Sequence, residues 1–288
     1  MNVKKFFLVF GLIILAALAA FAGIVAGLIS AKPFALGDHG NALSEIGSDG
    51  VVNFLLVGKD HVGANTDVIM VLSLNPTEKK ISILSVPRDT RIYLSGTRKI
   101  NSVYSYAQYY GMRKEETLIE AVSEVTRLPI HYYAIINLRA FRDVVDALGG
   151  VEYNIERPYH YDDPLQDLHI HLDPGQQTLS GAQAEGLIRY RHDYAMGDID
   201  RVGVQQHFIM ELIRQKLQIR YISEIPEVYD EVTDNVVSNL KVSDMLSYAK
   251  AVMGFEVETY LLPGYAGDGS GYWIQDDAET DRLIQEKF

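Results

Sequence analysis

Between Phe6 and Ile29 the chain carries no charged residue. As a helix rising about 1.5 Å per residue, this run is about 36 Å long, enough to cross a hydrocarbon core of about 30 Å with some tilt. It divides the chain into a short tail at 1–5, a transmembrane anchor at 6–29 and a remainder on one side of the membrane. Lys4 and Lys5 precede the run, and flanking positive charge stays in the cytoplasm. The remainder is therefore expected outside, on a single-pass protein. A cleaved signal peptide is the alternative, since Ala17-Leu18-Ala19 and Ala20-Phe21-Ala22 resemble processing sites. The apolar run continues past both and exceeds the usual apolar region of such peptides.

Charge then limits the partners. Lysine and arginine total 26 against 38 aspartates and glutamates, a formal net charge of -12, and the external part alone, without Lys4 and Lys5, stands at -14. Nucleic acid is an unsuitable partner, because its affinity rests on phosphate neutralisation. Cysteine is absent, and an external protein without disulfides fits a bacterial surface better than a eukaryotic secreted module. Residues 30–50, with glycines, small polar residues and one proline, read as an extracytoplasmic stalk. Residues 51–288 read as the functional domain, with 48% of the chain hydrophobic and enough length for a sizeable core.

Short β-branched runs at Val51–Val57, Val68–Leu74 and Ile81–Val86 predict three strands, the last two joined by a turn at Asn75-Pro76-Thr77. Tyr132–Asn137 and Val151–Ile155 predict two more. Helical patterns fall near 100–110, 115–127 and 138–148, the last stopped by Gly149-Gly150. Further helices are expected at about 181–190, 198–220, 225–238 and 243–253, strands near 255–262 and 271–275, and a terminal helix near 277–286. Strands alternating with helices give an α/β or α+β fold, a central mixed sheet flanked by helices.

Against the acidic background, cations cluster at Arg189-Tyr190-Arg191-His192 and Arg201. Planar, permanently charged guanidinium forks suit a phosphate or diphosphate. Arg201 and Gln205 share a helical face that Asp198 joins, and Phe208, Ile209 and Leu212 continue into an apolar stripe. That arrangement suits an amphiphile with a charged head and a hydrocarbon tail, although an apolar stripe is more often plain core. Pro87-Arg88-Asp89 ends the third strand, where Asp89 can orient Arg88. Lys99 opens the next helix. Asp60 and Asp67 flank a glycine-containing loop and offer hard oxygen ligands to magnesium. The tyrosines at 104, 106, 109 and 110 are expected to pack half-buried rather than form a sugar platform. His169 and His171 share one strand face, but zinc would require further ligands that the sequence does not supply.

The chain resembles the LytR–CpsA–Psr family of bacterial cell-envelope proteins. The resemblance runs from about Val52 to Leu217 and rests on Asn53-Phe54-Leu55-Leu56-Val57-Gly58-Lys59-Asp60, Thr66-Asp67, Val86-Pro87-Arg88-Asp89-Thr90, Lys99-Ile100-Asn101, Arg189-Tyr190-Arg191-His192, Gly197-Asp198 and Arg201-Val202-Gly203-Val204-Gln205. It implies magnesium-dependent transfer of a glycopolymer, such as a teichoic acid or capsule, from a polyprenyl-diphosphate carrier to peptidoglycan. It implies a hydrophobic tunnel for the prenyl tail, a place in the bacterial cell membrane, and manganese as a possible substitute for magnesium. Carried over by motif, Asp60 and Asp67 would hold the metal, and Arg88, Lys99, Arg189, Arg191, Arg201 and Gln205 would bind the diphosphate. Arg88, Asp89, Arg191, Asp198 and Arg201 would be catalytic, the two aspartates supporting or accepting a proton. A binding module without turnover and a lipid-diphosphate hydrolase are the alternatives. The chain departs from the family pattern at Asn65, where a basic residue is usual, and at Val68 in place of threonine.

Overall fold

The computed structural model describes residues 43–44, 46, 50–59, 65–163, 168–194, 198–216, 236–241, 252–267 and 269–288, with the backbone alone at Asp198. The expected tail, the anchor, most of the stalk and Asp60 lie outside these residues. Among the described residues no helix is long and apolar enough to cross a membrane.

In chain order the elements are β1 (Val52–Lys59), β2 (Thr66–Asn75), β3 (Lys80–Ser85), β4 (Arg91–Tyr93), β5 (Thr97–Lys99), α1 (Val103–Tyr109), α2 (Lys114–Thr126), β6 (Tyr132–Asn137) and α3 (Leu138–Ala147). They continue as β7 (Val151–Ile155), β8 (Tyr159–Asp163), β9 (Leu168–Leu172), β10 (Gly175–Leu179), α4 (Gly181–Arg189) and α5 (Asp198–Lys216). β11 (Val236–Ser238), β12 (Glu256–Leu261), β13 (Gly264–Ala266), β14 (Trp273–Gln275) and α6 (Asp277–Lys287) follow.

The central sheet is mixed, in the order β11-β6-β1-β2-β3-β12. β1 to β3 form an antiparallel meander, turned at Asn75, whose Oδ1 accepts from the N–H groups of Thr77 and Glu78. β6 runs parallel to β1, and β12 parallel to β3. Four strands therefore point the same way, and their carboxyl ends share one edge of the sheet.

Period-two alternation splits the strands between two cores. Phe54, Leu56, Leu72, Ile83 and Ile136 face one side, packed with α3, α4, α5 and β7 to β10. Leu55, Val57, Val71, Leu84 and Ile135 face the other, packed with α1 and α2 and flanked by Leu283 and Ile284 of α6. Burial on both faces explains why these strands read as continuous apolar runs, and each buried large side chain contributes about 1.5–3 kcal/mol. Local signals set the helix ends. Asn137 caps α3 by accepting from Ala140 N–H, and Ser180 with Gln183 forms a capping box on α4. Gly150, at φ +77°, lets the chain leave α3 and pair β7 with β10; a Cβ there would sit 2.6 Å from the Leu179 carbonyl oxygen.

Three sequence expectations change. The helix predicted to reach residue 238 gives way at 236–238 to β11, which pairs with the edge of β6. The β-branched pair Val236-Val237 fits an open sheet edge better than a helix end. The end of the helix expected at 243–253 is a turn at Val252–Gly254, with Gly254 at φ +82°; residues 242–251, 217–235 and the rest of those predicted helices lie outside the described residues. The strand expected near 271–275 is β14, while its partner β13, the ribbon β4–β5 and strands β8 and β10 were not expected. The last part of the predicted stalk lies on the domain: Leu43 packs against the second core, Ile46 against the first, and Ser44 N–H donates to the Ile130 carbonyl at 2.9 Å.

Candidate active site

The shared carboxyl edge gathers the polar residues, as ligand sites in open α/β sheets do. At the end of β1 the register jumps: Gly58 pairs with Val68, but Lys59 pairs with Thr66. Asp67 is thus the extra residue of a β-bulge, a device that turns a side chain out of the ladder. It lies on β2 rather than in the preceding loop.

Asp67 is the hub. Arg88 Nη1 donates to its Oδ1 at 2.8 Å, and Arg191 Nη2 lies 3.4 Å from both carboxylate oxygens. The expected pairing of Arg88 with Asp89 is secondary, at 4.0 Å; Asp89 instead takes Lys99, whose Nζ is 3.0 Å away. Lys99 closes β5 and, as expected, stands at the start of a helix, as the N-cap of the 3₁₀ turn Ile100–Ser102 that runs into α1. A chain Arg191–Asp67–Arg88–Asp89–Lys99 results.

Backbone bonds fix this chain. Thr90 N–H and Oγ1 both donate to the Pro87 carbonyl, Asn101 N–H donates to the Arg88 carbonyl, and Trp273 N–H to that of Asp89. Arg88 therefore sits on a turn locked from three directions. Arg191 sits on the loop after α4, and that loop has its own anchor. The Arg157 guanidinium lies 5.0, 5.8 and 4.7 Å from the ring centres of Tyr159, Tyr190 and Tyr194, and its Nη1 donates to the Asp193 carbonyl at 3.2 Å.

Behind the chain opens a cleft of about 660 Å³, its mouth included. Lys59, Asp67, Arg189, Arg201 and Gln205 line its polar part, and Leu56, Val68, Ile136, Leu138, Phe141, Ile188 and Ile209 its apolar part. Arg201 and Gln205 share the face that their spacing predicted, and both are buried; Gln205 Nε2 donates to the Ile188 carbonyl at 3.0 Å. The apolar stripe divides: Ile209 reaches the cleft, while Phe208 and Leu212 are core. A closed tunnel is not part of what the described residues form.

Arg189 lines the cleft, but its Nη1 donates to Glu185 Oε1 at 2.7 Å, and the same buried carboxylate binds Arg142. Sequence reading missed Glu185, though its spacing of four from Arg189 was the available signal. It also left Lys59 without a role. Lys59 lies over the Tyr104 ring at 5.6 Å, and burial together with Glu115 raises the Tyr104 phenol above its ordinary range, keeping it a protonated donor to Glu115. At the Asn65 departure, Asn65 Oδ1 accepts from Ser105 Oγ at 2.9 Å, tying the approach to Asp67 onto α1. Tyr109 and Tyr110 are exposed, against the expectation of packing. Asp60 and the Asp198 side chain lie outside the described residues.

The model of the LytR_cpsA_psr family matches residues 28–287. The chain is 30% identical over 247 residues to the polyisoprenyl-teichoic acid–peptidoglycan teichoic acid transferase TagU of Oceanobacillus iheyensis, covering 82% of this chain and 74% of that protein. It is 28% identical over 235 residues to TagV of Bacillus subtilis, a transferase of the same description, covering 77% of this chain but only 58% of that relative. Among solved structures, B. subtilis TagV superposes with a TM-score of 0.69 at 23% identity, over 82% of this chain and 95% of that one. TagT bound to LI-WTA superposes at 0.68 with 22% identity, over 89% and 97%. At those identities the likeness speaks to the fold alone. The family match spans nearly the whole chain, and the chain belongs to the LytR_cpsA_psr family.

Proposed function

We propose that this protein is a cell-envelope transferase that moves a glycopolymer from a polyprenyl-diphosphate carrier to peptidoglycan, leaving a phosphodiester. One observation carries the reading: an arginine-rich charged chain centred on Asp67 borders a cleft whose inner wall is apolar. A phosphate head and a hydrocarbon tail match those two halves. The relatives' description as teichoic acid transferases supports the reaction class. Burial of the prenyl tail beyond Phe141 and Ile209, closing the cleft into a tunnel, is part of the proposal, as is a membrane anchor at 6–29.

The acceptor hydroxyl oxygen bonds to the sugar-proximal phosphorus while the bond from that phosphorus to the bridging oxygen breaks. The bridging oxygen leaves on polyprenyl phosphate, and the hydroxyl proton passes to a carboxylate, Asp89 or Asp198. Arg88 and Arg191 clamp the diphosphate, and Arg201 meets it from the buried side, so charge developing on the leaving phosphate finds fixed donors. Magnesium fits Asp67. The bulge presents a carboxylate beside the phosphate position, and among the described residues no third carboxylate or imidazole joins it in a metal-binding group. One or two carboxylates completed by substrate phosphates is a usual magnesium set. Bound by Asp67 and Asp60, the ion would neutralise diphosphate charge.

The test gives the purified full chain a labelled lipid-linked donor, peptidoglycan and magnesium. Labelled glycan on peptidoglycan, lost in Arg88→Ala, is expected. Tight donor binding with no product would make the protein a binding module, and glycan released into water would make it a hydrolase.

A further inference from the structure

The hairpin β8–β9 carries a second polar cluster, outside the cleft. Its register sets His160 opposite His171 and Asp162 opposite His169, and all four side chains are exposed on one face. Asp162 Oδ1 lies 2.6 Å from His169 Nδ1 and 3.1 Å from His171 Nε2. The three donor atoms fall within 4.8 Å of one another, the one group of three potential metal ligands among the described residues. The strand alternation that put both imidazoles on one face thus gains the further ligand that the sequence could not name, from the neighbouring strand.

We propose that Asp162, His169 and His171 bind a divalent zinc-like cation on the outer face of this hairpin, separately from the phosphoryl site. Two imidazoles and a carboxylate suit zinc and its neighbours in the first transition row, whereas magnesium prefers an all-oxygen shell. Metal–ligand bonds of about 2.0–2.2 Å place tetrahedral ligand atoms about 3.3 Å apart. Asp162 and His171, at 3.1 Å, already meet that spacing; the 2.6 Å between Asp162 and His169 must open by less than an ångström, and the two imidazole nitrogens, within 4.8 Å of each other, must settle at the same spacing. Exposure leaves the remaining coordination positions to water, which implies modest affinity. His160 is engaged elsewhere, with Nε2 3.3 Å from Asp173. On the opposite face Tyr161 packs against His192 with ring centres 5.0 Å apart. A metal clip would therefore stiffen the hairpin supporting the loop that carries Arg191.

The experiment titrates zinc into the chelator-stripped full chain in detergent, by calorimetry and thermal unfolding. One zinc per chain and a rise in melting temperature are expected, unaffected by millimolar magnesium and retained in Asp67→Asn. His169→Ala/His171→Ala should weaken binding by at least about tenfold, and Asp162→Asn should weaken it in the same direction. These side chains are exposed, so the variants should unfold at the parent's metal-free temperature. Equal zinc affinity in parent and double variant, or no saturable binding up to about 1 mM, overturns the site. Glycan transfer is not the readout, so failure here leaves the proposed function intact.

Discussion

Arg88 and Arg191 both reach Asp67, yet the structure predicts very different consequences when each is removed. Arg88 lies 2.8 Å from Asp67, with the two side chains 20% and 26% exposed, and its turn is fixed by backbone bonds. At an effective dielectric constant of about 20, unit charges at 2.8 Å attract by about 6 kcal/mol before desolvation and ordering are subtracted. Arg191 is 3.4 Å away with a side chain 52% exposed, a geometry in which measured pairs contribute about 0.2–1 kcal/mol. Arg88→Ala removes a fixed phosphate donor and leaves Asp67 and Asp89 facing each other with less compensation. Transfer should fall by about 100- to 1000-fold, as for loss of one preorganised oxyanion donor. Arg191→Ala should cost about tenfold, or 1.4 kcal/mol. A double-mutant cycle on transfer rates should give a coupling of about 1–2 kcal/mol between Arg88 and Asp67, and under about 0.5 kcal/mol between Arg191 and Asp67. Thermal unfolding checks that each variant is folded. Near-parental transfer by Arg88→Ala, or a larger loss from Arg191→Ala, would refute the placement of Arg88 as the principal clamp.

Arg157 touches no part of the cleft, but its ring cage and its bond to Asp193 position the Arg191 loop. Arg157→Ala should lower kcat at least about threefold with KM changed less, and Arg157→Lys should restore little, because a lysine lacks the planar face; equal kcat in all three proteins would make the cage purely structural. Burial raises the Asp143 carboxyl above its ordinary value. The ionised form therefore weakens the fold at neutral pH, and the penalty disappears below the unfolded pKa. Asp143→Asn should raise the melting temperature at pH 7 and gain progressively less as the pH falls, which a pH series of unfolding curves would show.

What sequence reading captured was set locally. The apolar runs of β1, β2, β3 and β6 and the spacing of Arg201 and Gln205 need only neighbours along the chain, and all appear as expected. What it lost depends on distant partners. Arg88 chooses Asp67, 21 residues away, over adjacent Asp89 because of a one-residue bulge that no periodicity announces. β11 is three residues long and exists because β6 has an open edge. Tyr109 and Tyr110 were expected to pack because aromatic residues usually do, yet their helix turns them to solvent. The histidine face was visible, and its third donor was not, because Asp162 arrives from the neighbouring strand.

Charge around the cleft bears on what a metal must contribute. Among the described residues the cluster sets seven cations, Lys59, Arg88, Lys99, Arg142, Arg189, Arg191 and Arg201, against the carboxylates Asp67, Asp89 and Glu185, the last shared by Arg142 and Arg189, a surplus of four positive charges. Asp60 and Asp198, placed at the cleft as the family resemblance implies, would reduce that surplus to two. A donor diphosphate diester brings about two negative charges, so the protein alone balances the bound donor. Bond breaking adds charge, because the departing phosphate monoester carries about -1.5 to -2 at neutral pH. The deficit thus arises during reaction and not on binding. Chelation should leave donor affinity within about threefold of the parent and lower turnover by at least about tenfold, the equivalent of 1.4 kcal/mol at the transition state. Magnesium or manganese should restore the rate and calcium, with longer and looser coordination, should do so poorly. Fluorescence titration with a labelled lipid diphosphate, run beside the transfer assay, separates the two quantities. Full turnover in chelator, or donor binding that disappears with the metal, would show that the arginine-rich cluster does not carry the ground-state charge by itself.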